Sequence, residues 1–316
     1  MAYLVIGGMG YVGSRVIRDL VSNGKEVICL VRTTISNEAR EVIGEDDLNK
    51  VKVVPGDVSD SIQLFRAVHE HNIDYIIHTA NATGPIAQSQ PAYVIRTNSL
   101  GMANVLEAAR LFGVKRVVWT SALAVCGARL SEFYKEPVKD DDAPYMPEAM
   151  YGATKALNEV MARVYYEKFG VDSIGFRMAR CFGHSKFSIP FTEFNRKVAL
   201  NIPVELVDPD YATSYIYVED TADAHVKACD VPTTKTRVFN LLEGYYDNRQ
   251  LLETIHKVNP EAKVSLVDGI SDSVVVPKMD GNGLSTELGW QAKHSLEEAL
   301  REIYNYWRQK ENMPAL

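Results

Sequence analysis

The chain has 316 residues, of which 46% are hydrophobic and 24% charged. That excludes a disulfide-stapled miniature and a disordered chain, and leaves room for one large α/β domain or two intimately packed lobes. Lys+Arg 34 against Asp+Glu 41 gives a net charge of −7, so no basic field favours nucleic acid as a partner. Cys29, Cys126, Cys181 and Cys229 form no CxxC pair, which speaks against a zinc site or a disulfide framework. The chain shows no basic and apolar leader and no run of about 18 apolar residues. A cytoplasmic protein with no membrane partner is expected.

Apolar runs alternate with helical patterns through the first half, which predicts βαβ units around a parallel sheet. Strands are expected at 3–6, 26–31, 51–55, 75–79, 116–121 and 173–176, with helices at 12–22, 62–71, 99–112 and 151–169. Strands so apolar should be buried on both faces. The proline- and aspartate-rich stretch from Glu132 to Pro147 reads as a surface loop. Past about Arg177 the alternation loosens, and segments at 190–209 and 245–307 read as small strands and helices. The expected organisation is a doubly wound Rossmann-type domain over 1–177, joined by segments near 211–241, and a smaller substrate-binding lobe over 178–316.

Between the first strand and the first helix stands Gly7-Gly8-Met9-Gly10-Tyr11-Val12-Gly13. It parses as GxGxxG from Gly8 or as GxxGxxG from Gly7, and spacing alone does not choose. Either parse lets the backbone approach a pyrophosphate at a helix N-terminus. An NAD enzyme should then place an acid about 20 residues on, at the end of the second strand. The sequence there is Leu30-Val31-Arg32-Thr33-Thr34, and the planar fork of Arg32 suits a ribose 2′-phosphate. NADP(H) is therefore expected, with NAD(H) as the alternative. Asp57, in Gly56-Asp57-Val58, is placed to accept from an adenine amino group.

In Met150-Tyr151-Gly152-Ala153-Thr154-Lys155 the tyrosine and lysine lie four apart, on one helix face. An ammonium beside a phenol favours phenolate and so lowers the phenol pKa, as proton exchange with a carbonyl–alcohol pair requires.

With the glycine turn, this pair resembles the extended short-chain dehydrogenase/reductase superfamily, of the NAD-dependent epimerase/dehydratase type, over nearly the whole chain. His78-Thr79-Ala80-Asn81, Asn98 with Gly101, Tyr217-Val218-Glu219-Asp220 and Leu288-Gly289-Trp290 match as well. The resemblance implies Tyr151 as general acid/base and Lys155 as its partner and ribose ligand. It implies a cofactor site drawn from Gly7, Gly10, Tyr11, Val12 and Gly13, from Arg32, Asp57 and Val58, and from Thr79, Ala80, Asn81 and Asn98. It also implies a homodimer.

Three departures bear on substrate and chemistry. Sugar-nucleotide members of the family have an Asn in the sixth-strand motif and an Arg before V-x-D; here those positions are Arg180 and Thr213 or Ser214. The Ser or Thr that in the family holds the substrate oxygen is replaced by Ala122. Ser121, one residue earlier, can supply that hydroxyl only if the chain turns there, and it is expected to do so. The reading is a reductase passing hydride between NADP(H) and a small carbonyl or alcohol. The alternatives are a sugar-nucleotide epimerase or dehydratase with tightly held NAD, and a non-catalytic dinucleotide sensor.

Overall fold

In the computed structural model, residues 1–32, 34–127, 129–142, 144–184, 190–270 and 277–316 are described. The chain runs through β1 (Ala2–Ile6), α1 (Tyr11–Ser22), β2 (Glu26–Val31), β3 (Lys52–Pro55), α2 (Ser61–Glu70) and β4 (Tyr75–His78). A π-helical turn (Ile95–Leu100) leads into α3 (Gly101–Phe112), followed by β5 (Arg116–Ala122), α4 (Met150–Phe169), β6 (Ser173–Met178) and β7 (Arg180–Phe182). Beyond these come α5 (Pro190–Ala199), β8 (Val204–Val207), β9 (Ala212–Tyr217), α6 (Val218–Asp230), β10 (Val238–Leu241) and β11 (Gly244–Asp247). The last elements are α7 (Asn248–Val258), β12 (Val264–Val267) and α8 (Leu296–Lys310). Part of the stretch expected to form small elements, 271–276, lies outside the described residues.

Seven strands form the central sheet in the order β10-β6-β5-β4-β1-β2-β3, and every pair is parallel. This is the Rossmann-type α/β fold that the alternating pattern predicts. Period-two alternation divides each strand between two cores. In β1, Tyr3 and Val5 join the cluster packed by α1 and α6, while Leu4 and Ile6 join the cluster packed by α3. Each such fully buried side chain contributes ~1.5–3 kcal/mol, which is why β1 tolerates no polar residue on either face. The chain winds outward from β1 through β2 and β3, then outward again from β4. The strand order thus reverses between β1 and β4, opening the crevice at the carboxyl ends of the strands where α/β sheets bind ligands.

Two expectations need correction. β3 is not buried on both faces: Lys52, Val53 and Pro55 are exposed, because β3 is the sheet's outer strand. The segment Glu132 to Pro147 is not simply a solvated loop. Val138 is buried and bridges Met279. Asp140 accepts hydrogen bonds from the Asn240 and Gly283 amides at 2.6 and 2.9 Å. Asp141 accepts from the Val238 amide at 2.7 Å, and its own amide donates to the Val238 carbonyl. The acids that mark a loop in the sequence bind the outer side of β10.

The later segments add a three-stranded sheet, β11-β9-β7, and the two-stranded pair β12-β8. No described helix is long and apolar enough to cross a membrane.

Candidate active site

The glycine turn is built on backbone contacts. Gly7 has φ +86°, and a Cβ there would lie 2.4 Å from the Ala80 nitrogen; a Cβ on Gly13 would lie 2.2 Å from the Gly7 oxygen. Gly10 caps α1 without a side chain, and its amide donates to the Gly7 carbonyl at 2.9 Å. Gly7, Gly10 and Gly13 line the crevice, whereas Gly8 packs against Ile17 and Cys29. The spacing that matters is therefore GxxGxxG from Gly7. This bare cradle at the start of α1 fits a dinucleotide diphosphate: its amides and the helix dipole meet negative charge with no side chain between.

The crevice is a cavity of about 590 Å³. Its walls bring together most of the expected cofactor residues: the glycines with Tyr11 and Val12, then Arg32, Asp57 and Val58, then Thr79, Ala80 and Asn81, with Tyr151 at the other end. At the Arg32 end, the guanidinium donates to the Tyr93 hydroxyl and lies 5.7 Å from that ring's centroid. Asp57 lies close by. Burial would raise its pKa, but the amide and hydroxyl of Ser59, each at 2.8 Å, with Arg32 and Arg96, hold it below the usual carboxylate value. An anion that pairs with Arg32 has to displace or share Tyr93, a residue no motif marked. Thr83 lines the cavity too, and Met9, Thr97, Met178 and Cys181, which also line it, were not expected.

At the opposite end, Tyr151 and Lys155 share one face of α4. The Lys155 ammonium is buried and donates to the Thr120 carbonyl at 2.7 Å and to the Asn81 side-chain oxygen. The Asn81 amide nitrogen in turn donates to the Thr120 hydroxyl at 2.8 Å. Burial draws the Lys155 pKa down to about 7, opposed by Glu159. The Lys155 nitrogen lies 5.7 Å from the Tyr151 ring centroid. Among the described residues the Tyr151 hydroxyl has no hydrogen-bond partner, although Tyr151 lines the cavity.

The expected lowering of the Tyr151 pKa is not met: burial pushes the phenol up. Two of the three Lys155 donors are held by Thr120 and Asn81, and no hydrogen bond joins the ammonium to the phenol oxygen, so burial alone sets the direction.

Two other expectations are corrected here. The chain does not turn at Ser121. Ala122 is still extended, with φ −155° and ψ 151°, and the turn starts at Leu123. Ser121 is fully buried, and its hydroxyl donates to Glu159 at 2.5 Å rather than facing the cavity. Glu159 also holds the buried Arg177 guanidinium, at 2.7 and 3.0 Å. Asn98 is absent from the cavity walls as well. Its amide oxygen accepts from the Ala82 amide at 2.7 Å, and its nitrogen donates to the Ala82 carbonyl at 3.0 Å and to Thr154. Asn98 ties the segment after β4 to α4 and thereby places Asn81.

A parallel sheet with a glycine cradle at its switch point, facing Tyr151 across one cavity with Lys155 buried behind it and off the cavity wall, defines a dinucleotide-dependent enzyme of the extended short-chain type. Comparison with known proteins agrees. The model of the NAD dependent epimerase/dehydratase family matches residues 3–241, and the chain belongs to that family. It is 28% identical to a UDP-glucose 4-epimerase of Lactobacillus helveticus, over 93% of each chain. In fold it is similar to a UDP-glucose 4-epimerase from Thermotoga maritima solved with UDP-glucose, with TM-score 0.84, 23% identity and 98% and 99% of the two chains covered. It is equally similar to an L-threonine dehydrogenase from Clostridium difficile, with TM-score 0.84, 20% identity and 98% of each chain covered.

Proposed function

We propose that this enzyme is an oxidoreductase that passes hydride between NADP(H) and a small carbonyl or alcohol, with Tyr151 as general acid/base. The observation that carries this reading is the unengaged Tyr151 hydroxyl in the same cavity as the glycine cradle, with the Lys155 ammonium buried behind it. When bound, the nicotinamide cofactor supplies the hydride donor and acceptor.

The Tyr151 phenol, kept protonated by burial, gives its proton to the substrate oxygen in reduction and takes it back in oxidation. Lys155, held by Thr120 and Asn81, stabilises the phenolate left behind. Arg32 supports NADP(H), because its planar fork can pair with a 2′-phosphate while the end of β2 carries no carboxylate to accept from a free ribose 2′-hydroxyl. A small substrate is supported by β9, where the buried, uncharged Thr213 and Ser214 stand in place of the arginine that sugar-nucleotide members of the family carry. We also propose a homodimer, supported by exposed Leu100, Leu111, Leu157 and Val164 on neighbouring helices.

A second reading, epimerisation of a sugar nucleotide, is favoured by the relatives' names. One assay separates the two. A panel of carbonyls and alcohols is followed by nicotinamide absorbance with NADPH and NADH, alongside UDP-glucose incubated without added cofactor. Net absorbance change with the panel supports the oxidoreductase. UDP-galactose formation with no absorbance change supports the epimerase and refutes the first reading.

A further inference from the structure

We propose that Tyr93 completes the site for a ribose 2′-phosphate, its hydroxyl donating to a phosphate oxygen beside the Arg32 guanidinium; this deepens, and rests on, the NADP(H) reading above. Arg32 directly follows β2, and Tyr93 lies on a short helical turn, Pro91–Val94, after β4. They stand 61 residues apart, yet both line the cofactor cavity and meet there.

The direction of their hydrogen bond is forced. A guanidinium carries donors alone, so Nη1 of Arg32 donates and the Tyr93 oxygen accepts. The phenol proton is therefore still to be given, and among the described residues nothing accepts it. Nε and Nη2 of Arg32 have no partner among those residues either. A phosphate dianion only accepts, so it can take these donors without displacing Tyr93, and hydrogen bonds of this charged kind are the strong ones.

The phenol is also held ready. Its ring packs on a small apolar cluster of Ala82, Ala87 and Val94, and the guanidinium carbon lies 5.7 Å from the ring centroid. The contact with Arg32 adds little stability by itself, because Arg32 is exposed and water competes for its donors. The charge nearby suits a dianion. Asp57 is a carboxylate close to Arg32, but the Ser59 amide and hydroxyl already donate to it, each at 2.8 Å. The Ser59 oxygen accepts in turn from Nε of Arg96 at 3.0 Å. Two arginines thus flank one carboxylate, leaving a net positive charge to meet the phosphate. The arginine after β2 is the part of this site that lies in the glycine-turn half of the motif; the second donor comes from a segment that reaches it only in the folded chain.

The test uses the whole protein and two probes that differ only in the 2′-phosphate, adenosine 2′,5′-bisphosphate and adenosine 5′-monophosphate, titrated by calorimetry. Wild type should bind the bisphosphate more tightly. Tyr93→Phe removes the hydroxyl and keeps the ring on its cluster, so the urea midpoint should stay at the wild-type value. It should weaken the bisphosphate roughly 10-fold, as for one lost hydrogen bond to a charged group, and leave the monophosphate within about twofold.

Unchanged affinity for the bisphosphate, an equal loss for both probes, or tighter bisphosphate binding in Tyr93→Phe would each refute the role of Tyr93. The two readings fail separately. If wild type prefers the bisphosphate and Arg32→Ala abolishes that preference while Tyr93→Phe keeps it in full, Tyr93 alone is overturned. If wild type binds the bisphosphate no better than the monophosphate, the NADP(H) reading itself is overturned.

Discussion

Gly13→Ala tests whether the backbone cradle is the diphosphate site. The added methyl would meet the Gly7 oxygen at 2.2 Å, the Gly8 Cα at 2.7 Å and the Gly7 carbonyl carbon at 2.8 Å. All three atoms are backbone, so no rotamer relieves the clash. Restoring an ordinary 3.4 Å contact requires α1 and the turn to separate by about 1.2 Å. Overpacking of this kind costs ~1–3 kcal/mol, and the better helix propensity of alanine offsets up to ~1 kcal/mol. The net stability loss should be ~0–2 kcal/mol, small enough to leave a folded protein. Cofactor binding should suffer more, because the amides at the start of α1 move relative to Gly7. Losing one hydrogen bond to a charged group is worth ~1.5–3 kcal/mol, so NADPH affinity should fall roughly 10- to 100-fold. Fluorescence titration of NADPH, with urea unfolding as the companion measurement, reads both numbers. A folded variant that binds NADPH within about twofold of wild type would refute the assignment of the cradle.

Four further outcomes are expected. Tyr151→Phe should leave NADPH binding intact and lower turnover by ~10² to 10⁴, and near-normal turnover would remove Tyr151 from proton transfer. Arg32→Ala should weaken NADPH about tenfold or more and leave NADH nearly unchanged, whereas equal losses in titrations of both cofactors would refute selection of the 2′-phosphate. Ser121→Ala should cost ~1–3 kcal/mol in urea unfolding, because Glu159 loses a donor in a buried ion pair. Turnover per folded molecule should stay at the wild-type level, and a selective drop in turnover would restore Ser121 to the chemistry.

Asp140 gives a pH signature. Burial raises its pKa from 3.8 to about 6, against the hydrogen bonds from Asn240 and Gly283. Because the folded value is the higher one, the native state gains relative stability as pH falls through about 6 towards the unfolded value. Linkage makes that gain about 1.3 kcal/mol between about pH 7 and about pH 5. Asp140→Asn lacks it, so the stability difference between the two proteins should shift by this amount in favour of wild type. Parallel stability curves would refute the raised pKa.

The first half of the fold was legible because local patterns there agree with tertiary placement. Tyr3 to Ile6 is apolar on both faces since β1 is central, and Gly10 and Gly13 report backbone contacts with Gly7 only a few residues away. The mistakes concern partners far along the chain. Nothing near Ser121 announces Glu159, which takes its hydroxyl across 38 residues. Nor does the YxxxK spacing show that Asn81 and Thr120 would claim two of the three Lys155 donors and leave burial to set the Tyr151 phenol. Tyr93, which meets Arg32, and the Tyr211 and Tyr215 rings around Arg180 belong to no motif. They become visible only when separate segments converge on one side chain.

The aspartates that clasp β10 have an effect beyond anchoring a loop. β10 is the last strand of a seven-stranded sheet, and such a strand normally presents a row of free amides that another chain can pair with. Here the outward amides of Val238 and Asn240 are already filled by carboxylates, and the Val238 carbonyl by the Asp141 amide. A segment rich in acid and proline is itself a poor template for further strand addition. The sheet is thereby closed to growth on this side, so β-type aggregation through β10 requires the acidic segment to detach first.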